Sequence, residues 1–135
     1  MIELRTRGLI NQSSVMLCIS NFQCSKIFIC NVDIKTRSRD IKFTISTTSR
    51  PTCMYQINED FLLVGTESGK LELWKTYVSE DPVLKRTIDA HPGSSYGITV
   101  MMPLVDPSEL ITNERTASVP EGVSESNFIV TAAGD

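Results

Sequence analysis

The chain has 135 residues, 41% hydrophobic and 21% charged, the composition of one ordinary globular domain and not of a disordered tail. A formal net charge of −3 excludes the global basic field expected of a protein that grips nucleic acid or an acidic membrane surface. No apolar run approaches the ~20 residues of a transmembrane helix, and the opening Met1–Arg7 has no long apolar segment after its charges, so neither a membrane span nor a signal peptide is expected.

In chain order, Thr6–Asn11 reads as a short strand and Val15–Ile19 as an apolar one, followed by a turn at Asn21–Cys24. Lys26–Asp33 is a strand, Lys35–Asp40 a basic polar link, and Ile41–Ile45 a strictly alternating strand. After Ser46–Pro51, strands are expected at Thr52–Ile57, Phe61–Val64, Lys70–Lys75, Val83–Ile88, Gly97–Met102 and Phe128–Thr131. No segment carries a helical period, so the chain is expected to be all-β and antiparallel.

The stretch Phe61–Lys75 anchors this reading. Phe61–Val64 is a continuous apolar run, as in a strand buried on both faces. Lys70–Lys75 alternates, with Leu71 and Leu73 on one face and Lys70, Glu72 and Trp74 on the other. Between them Glu67–Gly69 places a glycine where a two-residue hairpin needs a positive φ. Gly65–Lys70 superficially resembles a phosphate-binding loop. It has three residues between its glycines where that loop needs four, Leu71 in place of Ser or Thr, and a strand where a helix should follow.

The chain repeats itself. Ile41–Ser46 returns as Leu84–Asp89, and Lys26–Cys30 as Lys70–Trp74. Val15–Cys18 corresponds to Phe61–Val64 and again to Phe128–Thr131. The offsets within the first pairs are about 43–46 residues, the period of a four-stranded propeller blade. The last period is longer by about 20 residues. The excess lies in 105–126, rich in Ser, Glu and Pro, and reads as a solvated loop insertion; a tolerated insertion with no specific role is the favoured reading and a binding loop the alternative.

Cys18, Cys24, Cys30 and Cys53 form no Cys-x-x-Cys pair and have no histidine near them in sequence, so buried free thiols are expected and a metal is not. His91 is the only histidine, too little for an imidazole-based catalytic or metal cluster within this chain. Lys35, Arg37, Arg39 and Lys42 form a basic cluster without interleaved aromatics, better read as a solvated rim than as a nucleic-acid site. Asn11-Gln-Ser13 fits a glycosylation acceptor and, with no secretory signal expected, reads as coincidence.

These residues resemble the WD-repeat β-propellers. Ala90-His91, Ile98-Thr-Val100 and Phe128–Asp135 look like one repeat of that family, with His91 at its histidine, Thr131 at its hydroxyl and Asp135 at its turn aspartate. In the preceding repeat Trp74 matches the tryptophan, but Ser68 stands for the aspartate, Val64 for the hydroxyl, and no histidine precedes them. The first repeat has Cys30 at the tryptophan position and keeps none of the four. In the family this group is a hydrogen-bond network joining strands within a blade, so the resemblance implies a structural role for His91, Thr131, Asp135 and Trp74.

The resemblance further implies four-stranded antiparallel blades over residues 1–135, about two and a half of them, with boundaries near 46–51 and 90–96. Such a chain is expected to be a fragment of a larger propeller, or to complete one with another chain, because lone blades expose apolar faces and strand edges that invite self-association. The function implied is a non-enzymatic scaffold that binds other proteins through its loops, without a cofactor, in the cytoplasm or nucleus. Two other readings stay open at this point: a piece of a propeller enzyme whose active site lies in other blades, and a small stand-alone β-sandwich binding domain.

Overall fold

The computed structural model describes residues 1–4, 14–20, 23–76, 80–103 and 129–134. They form ten strands and, among the described residues, no helix: β1 (Ile2–Leu4), β2 (Ser14–Ser20), β3 (Lys26–Asp33), β4 (Arg39–Ser46), β5 (Pro51–Asn58), β6 (Phe61–Thr66), β7 (Lys70–Lys75), β8 (Val83–Asp89), β9 (Ile98–Pro103) and β10 (Ile129–Ala133). The all-β expectation holds, and the strands fall where alternation and turn residues put them. The first strand was not foreseen: β1 lies at Ile2–Leu4. The strand expected at Thr6–Asn11, the glycosylation-like Asn11-Gln-Ser13, the insertion 105–126, Phe128 and Asp135 lie outside the described residues.

Three antiparallel sheets result. The first has the order β1-β2-β3-β4, the second β5-β6-β7-β8, and the third pairs β10 with β9. The first two are built alike to the level of single residues. In each, the ladder between the third and fourth strands is interrupted by a register shift, between Ile29 and Cys30 in one and between Leu73 and Trp74 in the other. These are equivalent positions, since Lys26 faces Ser46 as Lys70 faces Asp89. A bulge bends its strand and sharpens the local twist, so both sheets curve at the same point.

The ladders correct one detail of the repeat. Cys18 faces Ile29 and Leu63 faces Leu73, so Cys18 is the counterpart of Leu63 and Met16 that of Phe61. The sequence match, which set Val15 against Phe61, is one residue out of step. One residue matters in a strand, because it exchanges the two faces.

The sheets pack in series. Met16, Cys18, Ile27, Ile29 and Ile45 of the first sheet share one buried cluster with Leu62, Val64 and Trp74 of the second, flanked by Ile2, Phe43 and Met54. Each fully buried aliphatic side chain of this kind contributes roughly 1.5–3 kcal/mol. β6 is buried on both sides, Leu62 and Val64 towards the first sheet and Leu63 away from it, as its unbroken apolar run implies. In β7 the buried face is that of Glu72 and Trp74, while Leu71 and Leu73 are half-buried.

Candidate functional site

The polar side chains that could carry function gather at the joints between sheets and at one hairpin tip. At the first joint, the link after β4 reaches the second sheet. Glu72 is wholly buried, and its carboxylate accepts from the Thr48 backbone N–H (2.8 Å), the Thr48 hydroxyl (2.5 Å) and the Trp74 indole N–H (3.0 Å). A buried carboxylate is tolerated only when its oxygens are satisfied in this way. Sequence reasoning placed Glu72 beside Trp74 on one face and gave it no role. The signal was present, an acceptor two residues from an indole donor, but Thr48 lies 24 residues away and no local pattern indicates it.

At the second joint the link after β8 turns back over the β6–β7 loop. The backbone N–H groups of Ala90 and His91 both donate to the Gly69 carbonyl, at 3.2 and 3.0 Å. The His91 carbonyl lies against the Gly69 α-carbon so closely that a Cβ there would collide with it, and Gly69 has φ +79°. Glycine is required on both counts. The loop has three residues, Glu67–Gly69, and not the expected two, with Gly69 N–H donating to the Thr66 carbonyl at 3.0 Å. A three-residue hairpin ending on a left-handed glycine matches the right-handed strand twist as well as a two-residue turn does.

The His91 ring reaches into the third sheet, where its Nε2 lies 2.9 Å from the Thr131 hydroxyl. Two of the four residues expected to form a network are thus in contact, across 40 residues of sequence. Trp74 is elsewhere, in the second sheet and bonded to Glu72, and Asp135 lies outside the described residues. The same joint holds Ile98, fully buried, whose carbonyl accepts from the Thr52 hydroxyl and from the Cys53 thiol (3.2 Å). Gly65 makes room for it: a Cβ at Gly65 would lie 2.6 Å from Cys53 Sγ and 3.0 Å from Ile98 Cβ.

The basic cluster sits at the exposed β3–β4 tip. Asp33 organises this tip by accepting from the backbone N–H groups of Lys35 (2.9 Å) and Thr36 (3.0 Å), and the Thr36 bond is the main reason its carboxyl titrates below the usual range. Arg37 adopts φ +56°, and Lys42 pairs with Asp40 at 2.6 Å. Lys35, Arg37 and Arg39 are exposed, so the tip presents a small cationic surface on a rigid turn.

All four cysteines are free; Cys18 and Cys30 are buried as expected, whereas Cys24 and Cys53 are only half-buried. Burial, with a smaller contribution from neighbouring Cys30, pushes the Cys18 thiol up to about 12, and burial raises Cys53 in the same direction. Such thiols are poor nucleophiles at neutral pH. Among the described residues no three His, Cys, Asp or Glu side chains converge as a metal site, and no helix is long and apolar enough to cross a membrane. Neither a scan against models of known protein families nor a search of curated proteins finds a match to this chain.

Proposed function

We propose that the chain forms consecutive blades of a WD-repeat-like β-propeller and serves as a non-enzymatic scaffold for protein–protein contacts. The observation that carries this reading is the serial repeat. Two four-stranded meanders share the same bulge position, and Ile27 and Ile29 of β3 share one buried cluster with Trp74, which lies on the opposite face of the equivalent strand β7. Packing unlike faces of like units is how a repeat array grows, each unit burying its neighbour's face. The contact of His91 with Thr131 supports the WD-type comparison, and Glu72 takes over the bonding of the Trp74 indole.

As a scaffold, the chain works by presenting rigid loop tips, among them the cationic turn Lys35–Arg39, to other proteins, without a cofactor. Its free thiols accord with a reducing compartment, the cytoplasm or the nucleus. The reading is tested by quantitative affinity capture with the intact chain and with a Lys35→Glu, Arg37→Glu, Arg39→Glu variant whose circular dichroism matches it. A reproducible set of bound proteins, part of it lost in the variant, is expected. Catalytic turnover by the purified chain that His91→Ala abolishes would overturn it.

A further inference from the structure

The fold repeats its connections but not their charge. In the second sheet the link between β7 and β8 carries exposed Glu80 and Asp81. The corresponding β3–β4 tip of the first sheet carries Lys35, Arg37 and Arg39, all exposed. Residues 33–42 thus hold four cations against two acids, in a chain of net charge −3. The packing of the sheets does not require this concentration, since the sister link reverses its sign.

The tip is closed on itself and built entirely from described residues. The Asp33 N–H donates to the Ser38 carbonyl at 2.9 Å, and the Asp33 carboxylate accepts from the Lys35 and Thr36 N–H groups inside the turn. Asp40 is engaged by Lys42 at 2.6 Å, and among the described residues none of Lys35, Arg37 and Arg39 makes an ion pair. Thr36 Oγ1 and Ser38 Oγ lie 2.8 Å apart. One of these hydroxyls donates to the other, which leaves one hydroxyl proton to donate outward. Arg37 is also the one non-glycine among the described residues with a positive φ, +56°. Glycine occupies that region without the cost an L side chain meets there, so an arginine held in it at an exposed turn points to a use for the side chain.

We propose that this tip is a recognition site for a phosphorylated serine or threonine in a segment of a partner protein. Charge decides the occupant. Two guanidinium groups, an ammonium and a hydroxyl donor sit between Lys35 and Arg39 on one turn, so the complementary group is compact, multiply charged and rich in acceptors. A phosphate monoester carries a charge of about −1.5 to −2 and three acceptor oxygens, and accepts two parallel N–H bonds from one guanidinium. A carboxylate brings a single charge and two oxygens. The backbone N–H groups of Lys35 and Thr36 are already taken by Asp33, so side chains do the binding: Arg37 and Arg39 hold the phosphate oxygens and Lys35 adds charge. The site rests on the reading above, in which loop tips are presented to other proteins.

The probe is a synthetic alanine-based peptide with one central phosphoserine, titrated into the isotope-labelled full chain and followed by the chain's amide shifts. Saturable shifts centred on 35–39 are expected. The same peptide with serine gives none, and with glutamate it binds at least ~10-fold more weakly. Arg37→Gly removes the guanidinium and leaves the left-handed turn intact, so it weakens binding at least ~10-fold without lowering Tm. Arg39→Gln weakens binding as well, whereas Lys85→Glu, on exposed β8, changes it less than ~2-fold. Equal binding of the serine or glutamate peptide, indifference to Arg37→Gly, or shifts centred outside the tip overturns the proposal. So does tighter binding, at the same ionic strength, of a single-stranded RNA oligomer or of phosphatidylserine vesicles, which gives the cations to another class of ligand. The two claims separate. If affinity capture yields proteins that the triple charge-reversal variant loses, and the phosphopeptide does not bind, the scaffold reading stands and this site falls. If the phosphopeptide binds at the tip and no protein is captured, the site stands and the scaffold reading falls.

Discussion

The two joints of the molecule are the same construction at two stages of completion. Between the first and second sheets, four strands meet four, the aliphatic cluster is closed, and the polar link is locked by a buried carboxylate. Between the second and third, four strands meet two among the described residues; Ile98 and Gly65 are in tight contact near the start of β9, and further out Ile88 and Val130 are exposed. The closed joint is where stability should reside, and the more exposed one should contribute less. Equivalent residues at the two joints therefore make matched pairs, in which the chemistry is constant and only the cover differs.

The sharpest pair is Ile45 and Ile88. Truncating Ile45 to Ala removes methyl groups from a closed cluster and should cost about 2–5 kcal/mol, whereas Ile88→Ala should cost less than about 1 kcal/mol. Urea denaturation of both variants measures the difference, and equal costs would break the comparison. Glu72 gives the next largest effect. Glu72→Ala strands the Trp74 indole and the Thr48 amide and should cost about 2–3 kcal/mol. Exposed Glu67, paired with Arg50 at 2.8 Å, should lose no more than about 1 kcal/mol on the same substitution.

The antiparallel all-β architecture was legible because its cause is local. Alternation in Lys70–Lys75 and Ile41–Ile45, and glycine at Gly69, are set by backbone geometry within a few residues. The repeat was legible to within one residue, and the slip at Val15 has a physical origin: Val15–Ile19 is apolar throughout, so its sequence does not say which of its alternate residues faces which sheet. His91 and Thr131 were picked out by resemblance and lie in contact. Glu72 was not picked out, since a carboxylate on an alternating strand ordinarily marks the solvent face, and only the distant Thr48 reverses that rule. Nor does composition show that β8 is exposed along its whole length while β4 buries Ile45; that depends on what lies across from each.

Alkaline titration separates the joints in another way. The Cys18 thiol, in the closed cluster, is held neutral up to about 12, against 9.0 for an ordinary thiol. In the unfolded chain it ionises first, so between about pH 9 and 12 the folded state binds more protons and stability falls as pH rises. The slope from this group approaches 1.4 kcal/mol per pH unit. Below pH 9 it contributes no pH dependence. Urea midpoints from pH 8 to 10.5 should decline in the native chain and decline less in Cys18→Val, and identical slopes would show that the first joint admits solvent.

The smallest effect concerns the histidine. Thr48 and His91 occupy equivalent places in their links, and each reaches the following sheet, but to different depths. Thr48 engages Glu72 on a third strand, so its bond ties the link to the middle of a closed sheet. His91 engages Thr131 on β10, which pairs with β9 alone among the described residues, through one contact at 2.9 Å. A double-mutant cycle with His91→Ala and Thr131→Val should therefore give a coupling of about 0.5–1.5 kcal/mol. The cycle isolates that contact because the His91 backbone N–H to the Gly69 carbonyl survives both substitutions. Coupling near zero would mean that the second joint is held by Gly69, Gly65 and Ile98 without the imidazole; coupling above that range would mean that it is locked as tightly as the first.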